Sequence, residues 1–328
     1  MIMDRARSTP KRIVFPEGDN EKVVRATSII REEGFGVPVL LGDRERIEDV
    51  AREEDVDLDG VEVVDPERSG RHDAYAHRLW RKRHRKGVTR AEADWLLDEP
   101  TYYASMMVED GDADTLIAGV NMYYPDALRP ALQVIGTGPG QDRVAGLYIM
   151  VFEDRLYFFA DTTVNIEPTA EQMAEIAISS ADFVQRLGIP PRIAMLSFSN
   201  FGSARHEEAR KVRRATEIVQ EKRPDLVVDG EMQADTAVVE EILRETYPFT
   251  ELDGPANVLV FPELSAANIC YKLLSRLGRA EAIGPVLLGT DEPVHILQRG
   301  ATVAEIANLA AISVVDAETR RRQTSLEL

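Results

Sequence analysis

Residues 12–43 read RIVFPEGDNEKVVRATSIIREEGFGVPVLLGD, and this stretch decides the fold. It opens with a short β-branched run and a polar turn, which predict a strand that ends in a loop. Apolar residues then recur at helical spacing before Gly34, a residue type that often ends helices. Another apolar run follows at residues 37–43. This alternation of strand and helix predicts an α/β fold with a mainly parallel sheet.

The same alternation returns after residue 141, where we predict a second α/β unit. It starts with a different pattern, because residues 143–162, RVAGLYIMVFEDRLYFFADT, form two apolar runs joined at Glu153 and Asp154. Two such runs around a short polar turn indicate an antiparallel hairpin rather than a βαβ unit. At 328 residues the chain is long enough for two units that each bury a core.

Composition argues against several classes of function. The formal net charge is −18, so we expect no binding to nucleic acid or to an anionic membrane, because clustered cations drive both. No apolar run reaches the roughly 18 residues that a membrane span needs, and the first residues lack the apolar core of a secretory signal. We therefore expect a cytoplasmic protein. The single cysteine, Cys270, rules out a disulfide within one chain.

Residues 298–305, QRGATVAE, bring Arg299 and Gly300 to the expected start of a helix, where Thr302 and Glu305 have the spacing of a capping box. The first N–H groups of a helix lack partners within the helix, and a guanidinium beside them can grip a phosphate or carboxylate. The pattern therefore predicts a site for a phosphorylated or acidic ligand. The capping box also explains the glutamate without any contact to a ligand, and both interpretations stay open.

Other polar residues carry weaker signals. Asn200 and Ser203 follow an apolar strand, so they are candidates for ligand contacts at the carboxyl end of a sheet, although a plain loop explains them equally well. The carboxylates of residues 229–235 lack the further ligands of a closed metal site, so we expect ion-pair or interdomain roles for them and predict no metal. GTGPG at residues 136–140 lacks the strand-to-helix setting of a dinucleotide fingerprint, so no NADP site is expected.

Several blocks of sequence together resemble the phosphotransacetylase family, over about residues 10–317. The blocks are PEGDNEKVVRA, LRPALQVIGT, NIEPTAEQMAEIA, MLSFSNFGS, RPDLVVDGEMQADTA, NVLVFPELSAANICYKL, EAIGPVLLG and QRGATVAEI. Within that family, the stretches NMYYPDALRPALQVIGT, DGEMQADTA and HILQRGATV look most like the carboxy-terminal domain of bacterial NADP-dependent malic enzymes. In those enzymes a phosphotransacetylase-like module follows the part that oxidises malate.

The resemblance implies two α/β domains with mainly parallel sheets and an interdomain cleft, an architecture shared by phosphotransacetylases and isocitrate-dehydrogenase-like proteins. In this family the last segment of chain returns to complete the first domain. We therefore expect residues 1–140 and 286–328 to form one domain and residues 141–285 to form the other. Family members pair through the second domain, which implies a homodimer or a higher homo-oligomer.

Active members of the family transfer an acetyl group between CoA and phosphate, and the resemblance implies that arginines hold the anionic groups. The matching residues here are Arg83, Arg129 and Arg299. From the residues alone, Arg83 also fits the cationic end of a helix, where a positive charge complements the helix dipole. A cation just before Pro130, at the expected start of a helix, is disfavoured by that dipole and so fits ligand binding better.

The chain departs from the active pattern of the family at three positions. Gln298 stands where active enzymes have a serine, Glu305 where they have an aspartate proposed as general base, and Met122 where they have a histidine. A displacement of about 1 Å can cost on the order of 10²-fold in rate, whereas contacts between arginine and phosphate tolerate such a change better. The departures therefore predict binding of the ligand without chemistry.

The leading hypothesis is a regulatory and oligomerisation domain that binds acetyl-CoA and biases a malic enzyme catalytic domain in cis, for which a coupling of about 1 to 3 kcal/mol suffices. NADP and a divalent metal would belong only to that other domain. The alternative is an active phosphate acetyltransferase, which converts acetyl-CoA and phosphate into acetyl phosphate and CoA. A third hypothesis is an assembly scaffold. The predicted ligand contacts are Arg299, Gly300, Arg129, Arg83, Gln298, Glu305, Asn200 and Ser203.

Overall fold

The computed structural model describes residues 2–326 of the chain, and the side chains of residues 2–320. It divides into two compact units. The first contains residues 1–140 and 290–328, and the second contains residues 141–289. Each unit is built on one sheet with helices packed against it, as expected for an α/β fold.

The first unit has a five-stranded parallel sheet. Its strands, numbered in chain order through both units, are β1 (Lys11–Phe15), β2 (Gly36–Leu41), β3 (Glu62–Val64), β4 (Thr115–Ala118) and β11 (Val294–Ile296). Its helices are α1 (Ile2–Ser8), α2 (Glu21–Glu32), α3 (Arg44–Glu53), α4 (His72–Arg83), α5 (Arg90–Leu96), α6 (Pro100–Glu109), α7 (Tyr124–Val134) and α13 (Val303–Leu326).

The spatial order of these strands is β11-β4-β1-β2-β3. The chain therefore runs outward from β1 through β2 and β3, and then continues on the other side of β1 with β4. The direction of strand order reverses between β1 and β4. In open α/β sheets, ligands bind beyond the carboxyl ends of the strands at such a reversal.

The stretch that predicts the fold forms β1, α2 and β2. Asn20 caps α2, because its side-chain oxygen accepts hydrogen bonds from the first amides of the helix. Val23, Val24 and Ile30 are buried, so this face of α2 packs against β2 and α13. Gly34 follows the end of the helix with φ +69°, the left-handed conformation that favours glycine. The predicted strand, helix and glycine cap are therefore confirmed.

Helix α7 begins earlier than its sequence predicts. Tyr124 is its first residue, and Pro125 rather than Pro130 marks its first turn. Arg129 consequently lies in the second turn instead of at the start of the helix, and its guanidinium is 3.2 Å from the carboxylate of Asp126. The predicted position of Arg129 was wrong, and the helix dipole no longer argues for a ligand at this residue.

The second unit has a six-stranded sheet in the order β10-β5-β6-β9-β7-β8. Its strands are β5 (Ala145–Val151), β6 (Leu156–Ala160), β7 (Arg192–Leu196), β8 (Val227–Met232), β9 (Val258–Val260) and β10 (Glu281–Leu288). Its helices are α8 (Ala170–Arg186), α9 (Glu207–Lys222), α10 (Ala234–Val238), α11 (Glu240–Thr246) and α12 (Leu264–Arg276).

Strands β5 and β6 form the predicted antiparallel hairpin, and β10 is also antiparallel to β5, while the remaining pairs are parallel. Because β10 continues this sheet through Leu288, the chain returns to the first unit at residue 290. The sequence places that return at residue 286, four residues too early.

The sequence-based prediction gives no helix for residues 2–8, which fold as helix α1. Ala6 is fully buried, and the guanidinium of Arg5 donates a hydrogen bond to the hydroxyl of Thr319 at 3.1 Å. The helix therefore packs on α13 as part of the first unit. In the part of the chain that the structure describes, no helix has both the length and the apolar composition needed to cross a bilayer.

Candidate active site

Three loops meet at the carboxyl edge of the first sheet, because β11, β4 and β1 are parallel neighbours. They are residues 297–302 after β11, residues 119–123 after β4 and residues 16–20 after β1. The last two flank the reversal of strand order. The predicted residues Gln298, Arg299 and Gly300 lie on the first of these loops, at the edge of the sheet where a ligand is expected.

The loop that carries Arg299 is tied to the neighbouring loop by backbone hydrogen bonds. The N–H of Leu297 donates to the carbonyl of Ala118 at 2.7 Å, and the N–H of Gly300 donates to the carbonyl of Val120 at 3.0 Å. Gly300 has φ +87°, a left-handed conformation that a side chain would strain. Glycine is therefore required for the turn that presents Arg299 to solvent.

Arg299 lies over an aromatic ring. Its guanidinium carbon is 5.2 Å from the ring centroid of Tyr123, a residue that is 66% exposed and directly precedes α7. Such a cation–π contact holds an arginine in place while its N–H groups remain free to bind. Within residues 2–326, Arg299 forms no ion pair with a carboxylate. Its positive charge is thus available to an anion.

The predicted capping box at the start of α13 is present. The N–H and the hydroxyl of Thr302 both donate to Oε2 of Glu305, at 2.7 and 3.0 Å, and the N–H of Glu305 donates back to the Thr302 hydroxyl at 3.2 Å. One carboxylate oxygen of Glu305 is therefore occupied by the cap. This favours the interpretation in which Glu305 shapes the helix start that follows Arg299.

The charges of Arg83 and Arg129 both affect the pKa of Tyr102. The Tyr102 hydroxyl is on a buried side chain and donates to Oε1 of Gln133 at 2.7 Å. Burial and the negative charge of Glu99 raise the pKa of Tyr102, whereas the positive charges of Arg129 and Arg83 oppose that rise. Helices α4 and α7, which carry Arg83 and Arg129, also pack against each other.

Arg83 is the last residue of α4, as its sequence predicts, but it does not extend freely into solvent. Its side chain is half-buried, and its Nε is buried without a hydrogen-bond partner among the described residues. A buried donor that is left unpaired costs free energy, and such groups in native proteins call for an explanation. An anionic ligand that accepts from this Nε would provide one.

Asn200 and Ser203 belong to the second unit, on the loop after β7. Asn200 exchanges two hydrogen bonds with Gln233, accepting from its N–H at 2.7 Å and donating to its Oε1 at 3.1 Å. The hydroxyl of Ser203 accepts from the N–H of Asn200 at 3.0 Å. These contacts explain both residues as parts of a loop, and their contact with a ligand stays a prediction.

The carboxylates of residues 229–235 are used within the second unit. Glu231 is fully buried and forms the predicted ion pair, accepting from Arg213 at 2.9 and 3.0 Å. Asp229 accepts from the hydroxyl of Thr250 at 2.6 Å. Burial alone would raise the pKa of Glu231, but the guanidinium, the N–H of Gly202 and a serine hydroxyl hold it below its ordinary value of 4.5.

One histidine in the first unit has carboxylates around it. Ligand atoms of His72, Asp73 and Asp94 lie within 4.8 Å of one another, and both aspartates are exposed. Such exposed acidic groups occur commonly without an ion. We therefore assign this cluster no role in the site.

Sequence reasoning missed Glu17, which follows β1, as well as Tyr102 and Tyr123. Glu17 is 6% exposed and accepts hydrogen bonds from three backbone N–H groups of the loop after β4. The available signal was the position of Glu17 directly after a buried strand in PEGDN. The two tyrosines gave no signal, because their partners Gln133 and Arg299 are distant in sequence.

Comparison with known proteins decides the family. The sequence profile of the family described as phosphate acetyl/butaryl transferase matches residues 1–314. This chain belongs to that family. It is 41% identical over 324 residues to a protein named phosphate acetyltransferase from Thermoanaerobacterium thermosaccharolyticum, which covers 97% of this chain and 98% of the relative.

Solved structures of the phosphate acetyl/butaryl transferase family agree with the fold. A phosphotransacetylase from Streptococcus pyogenes has a TM-score of 0.91 at 37% identity and covers 97% of each chain. The EutD phosphotransacetylase from Staphylococcus aureus has a TM-score of 0.90 at 34% identity, and the match covers 96% of this chain and 98% of that one. The predicted architecture of two α/β units with mainly parallel sheets is thus confirmed.

The malic enzyme hypothesis was wrong. Relatives that match along 97% or 98% of their own length, at 39 to 41% identity, are named phosphate acetyltransferases, and no malate-oxidising part is indicated. The three departures were interpreted as a loss of chemistry. However, Glu305 closes a capping box, and the sulfur of Met122 lies 3.9 Å from the hydroxyl of Thr101. The departures at positions 305 and 122 leave the three predicted arginines, Arg83, Arg129 and Arg299, in place.

Proposed function

We propose that this chain is a phosphate acetyltransferase, which transfers an acetyl group between CoA and inorganic phosphate. In one direction, the CoA thiolate sulfur attacks the carbonyl carbon of acetyl phosphate. A C–S bond forms, and the C–O bond to the phosphoryl group breaks as inorganic phosphate leaves. The protein must hold these anions and stabilise the oxyanion that develops on the carbonyl oxygen. CoA and acetyl-CoA are therefore substrates rather than regulators.

The observation that carries the proposal is the environment of Arg299. Its guanidinium lies on the Tyr123 ring, has no carboxylate partner within residues 2–326, and precedes the start of α13 at the carboxyl edge of the sheet. Arginine binds phosphate through two parallel N–H bonds. Full-length relatives that are named phosphate acetyltransferases support this chemistry.

We assign Arg83 and Arg129 to the same anionic substrates. The unpaired Nε of Arg83 offers a buried donor, and Arg129 adds a charge near Tyr102. Asp126 neutralises part of that charge through an exposed pair at 3.2 Å. Because exposed pairs contribute only about 0 to 1 kcal/mol, a substrate phosphate can compete with Asp126 for Arg129.

The remaining predicted residues have lesser roles. Gln298 precedes Arg299 on the same loop, and its amide N–H can donate to the substrate where the family has a hydroxyl. Glu305 shapes the start of α13 through the capping box and is not assigned as general base. Contacts of Asn200 and Ser203 with CoA stay predictions, as does the cytoplasmic location.

The proposal is tested by trapping the product. Acetyl-CoA and phosphate are incubated with the protein, and hydroxylamine converts any acetyl phosphate into the hydroxamate. We expect wild-type protein and Arg52→Gln, an exposed arginine on α3, to form product, and Arg299→Gln to form it about 100-fold more slowly. Product formed equally well by Arg299→Gln would refute the site.

The acyl group is tested in the same assay with butyryl-CoA, since the family description includes both acyl groups. We propose acetyl as the preferred group because the full-length relatives carry that name. Extra methylenes in a pocket shaped for a methyl group change rates by about 10- to 200-fold. Butyryl-CoA should therefore react at least about 10-fold more slowly than acetyl-CoA, and the opposite preference would reassign the substrate.

We also propose that the second unit forms a homodimer. Ile269 and Leu273 on α12, and Leu277 directly after it, are spaced four residues apart, and each is more than half exposed. An apolar cavity of 470 Å³ lies beside them, between α10, α12 and the sheet, with Cys270 in its lining. Contiguous exposed apolar surface of this kind marks an interface.

A further inference from the structure

Glu17 holds the loop after β4 by its backbone. Oε2 of Glu17 accepts from the N–H groups of Gly119 and Val120 at 2.8 and 3.1 Å, and Oε1 accepts from the N–H of Asn121 at 2.9 Å. Glu17 as a residue is 6% exposed. Three consecutive amides of one loop therefore converge on a single buried side chain from the loop after β1.

A buried carboxylate is costly unless it is paired or fully hydrogen-bonded. Within the described residues, no salt bridge joins Glu17 to an arginine or lysine, and the amides of the loop take the place of a cation. Hydrogen bonds to an ionised acceptor are roughly twice as strong as neutral ones. The arrangement fixes the path of residues 119–121 more firmly than a neutral side chain would.

That loop in turn supports the anion site. The carbonyl of Val120 accepts from the N–H of Gly300 at 3.0 Å. Gly119 passes so close to the other loop that a Cβ there would lie 2.7 Å from the carbonyl oxygen of Leu297. Tyr123 lies two residues beyond Asn121, and its ring forms the cation–π contact with Arg299. The backbone that Glu17 holds therefore contacts the arginine loop at Gly300 and approaches it closely at Leu297.

We propose that Glu17 is a positioning residue for Arg299, acting through residues 119–123. This inference rests on the proposed transacetylase function for its kinetic consequence, but not for its structural one. Loss of the Glu17 charge frees the loop, and the Tyr123 ring and the Gly300 turn then shift with it. A displacement of about 1 Å at a substrate-holding group costs on the order of 10²-fold in rate.

The test compares Glu17→Gln with Glu17→Asp and with a matched control. Glutamine has the same shape, but its NH₂ group is a hydrogen-bond donor. It therefore cannot accept from the backbone N–H groups that one carboxylate oxygen of Glu17 accepts from. Asp114 provides the control, since its carboxylate accepts the N–H of Arg12 at 2.7 Å, at the opposite end of β1 and β4. Asp114→Asn thus removes the negative charge from an acceptor of a backbone N–H on the same strands, without reaching the arginine loop.

In the kinetic arm, Glu17→Gln should raise the KM for acetyl phosphate by about 10-fold and lower kcat/KM by about 100-fold, because Arg299 is misplaced. Glu17→Asp keeps the charge and should lie between Glu17→Gln and wild type. Asp114→Asn should keep both parameters within about threefold of wild type. If Asp114→Asn, at a similar loss of thermal stability, raised the KM equally, a purely structural role would replace the inference.

Hydrogen–deuterium exchange provides a readout that needs no activity. Glu17→Gln should accelerate exchange at the amides of residues 119–121 and at Gly300 by at least about 10-fold, because these amides lose protection together. Unchanged exchange at Gly300 would overturn the inference even if activity fell. If wild-type protein lacked transacetylase activity, the proposed function would fail, and exchange alone would decide whether Glu17 positions the arginine loop.

Discussion

The carboxylate of Glu231 and the guanidinium of Arg213 form a two-point ion pair, with donor–acceptor distances of 2.9 and 3.0 Å. The glutamate is fully buried, while the arginine side chain is 42% exposed. The same carboxylate accepts from the hydroxyl of Ser199 and the N–H of Gly202. One buried charge therefore organises the loop after β7.

This ion pair makes the free energy of unfolding depend on pH. The pKa of Glu231 is lower in the folded protein than its ordinary value of 4.5. The pair therefore stabilises the fold above that value, and its contribution disappears as the pH falls through the lowered pKa. Glu231→Gln should reduce the free energy of unfolding by about 2 kcal/mol at neutral pH, the range of hydrogen bonds to a charged group.

Urea unfolding of Glu231→Gln and wild type, measured from neutral pH down to below 4.5, checks this prediction. The difference between the two proteins should shrink towards the acid end. A difference that stayed constant throughout would show that the charge of Glu231 contributes nothing to stability.

Arg83→Gln should lower the activity of the protein without lowering its stability. Because its buried Nε has no partner among the described residues, Arg83→Gln removes no hydrogen bond and should change the free energy of unfolding by less than about 0.5 kcal/mol. It should nevertheless lower kcat/KM about 100-fold if that donor meets the substrate. Kinetics and thermal unfolding of the same preparation measure both effects.

Arg78 is the matched control on the same helix, since it pairs with Asp110 at the surface. Arg78→Gln should leave kcat/KM unchanged. An Arg83→Gln variant that kept full activity, or an Arg78→Gln variant that lost it, would remove Arg83 from the site.

Gln298 tests whether the departure from the family pattern matters. The side-chain NH₂ group of glutamine and the hydroxyl of serine are both hydrogen-bond donors, so Gln298→Ser should keep kcat within about threefold of wild type. Gln298→Ala lacks any donor and should lower kcat by about 10- to 100-fold. Steady-state kinetics decide between these outcomes. Equal activity of the alanine and serine variants would show that Gln298 does not contact the reacting group.

The second unit should dimerise through α12. Leu273→Glu places a charge in the middle of the exposed apolar face and should convert the dimer into a monomer, as measured by sedimentation velocity. Trp95→Glu changes an apolar residue of the first unit that is also more than half exposed, and it should leave the dimer intact. A dimer that survived Leu273→Glu would place the interface elsewhere.

Much of the fold could be predicted because its signals are local. The strand, cap and helix of residues 12–34 lie within one window of sequence, as do the hairpin of β5 and β6 and the capping box of Thr302 and Glu305. The start of α7 was misplaced because two prolines, Pro125 and Pro130, compete for the first-turn position, and composition alone does not rank them.

The position of candidate residues was predictable only where they are adjacent in sequence to the helix that they precede, as for Arg299 and Gly300, and their contact with a ligand stays a prediction. Glu17 meets its partners across more than one hundred residues of sequence, so only the strand order reveals the contact. The malic enzyme hypothesis failed for a different reason. Substitutions such as Gln298 change the chemistry of one contact, and their effect on function depends on three-dimensional surroundings that a sequence does not display.

Release of CoA from acetyl-CoA, measured with a thiol reagent with and without inorganic phosphate, tests the central claim most directly. The account predicts CoA release that requires phosphate, persists in Arg52→Gln and falls about 100-fold in Arg299→Gln. Saturable binding of acetyl-CoA without any phosphate-dependent release of CoA would contradict it.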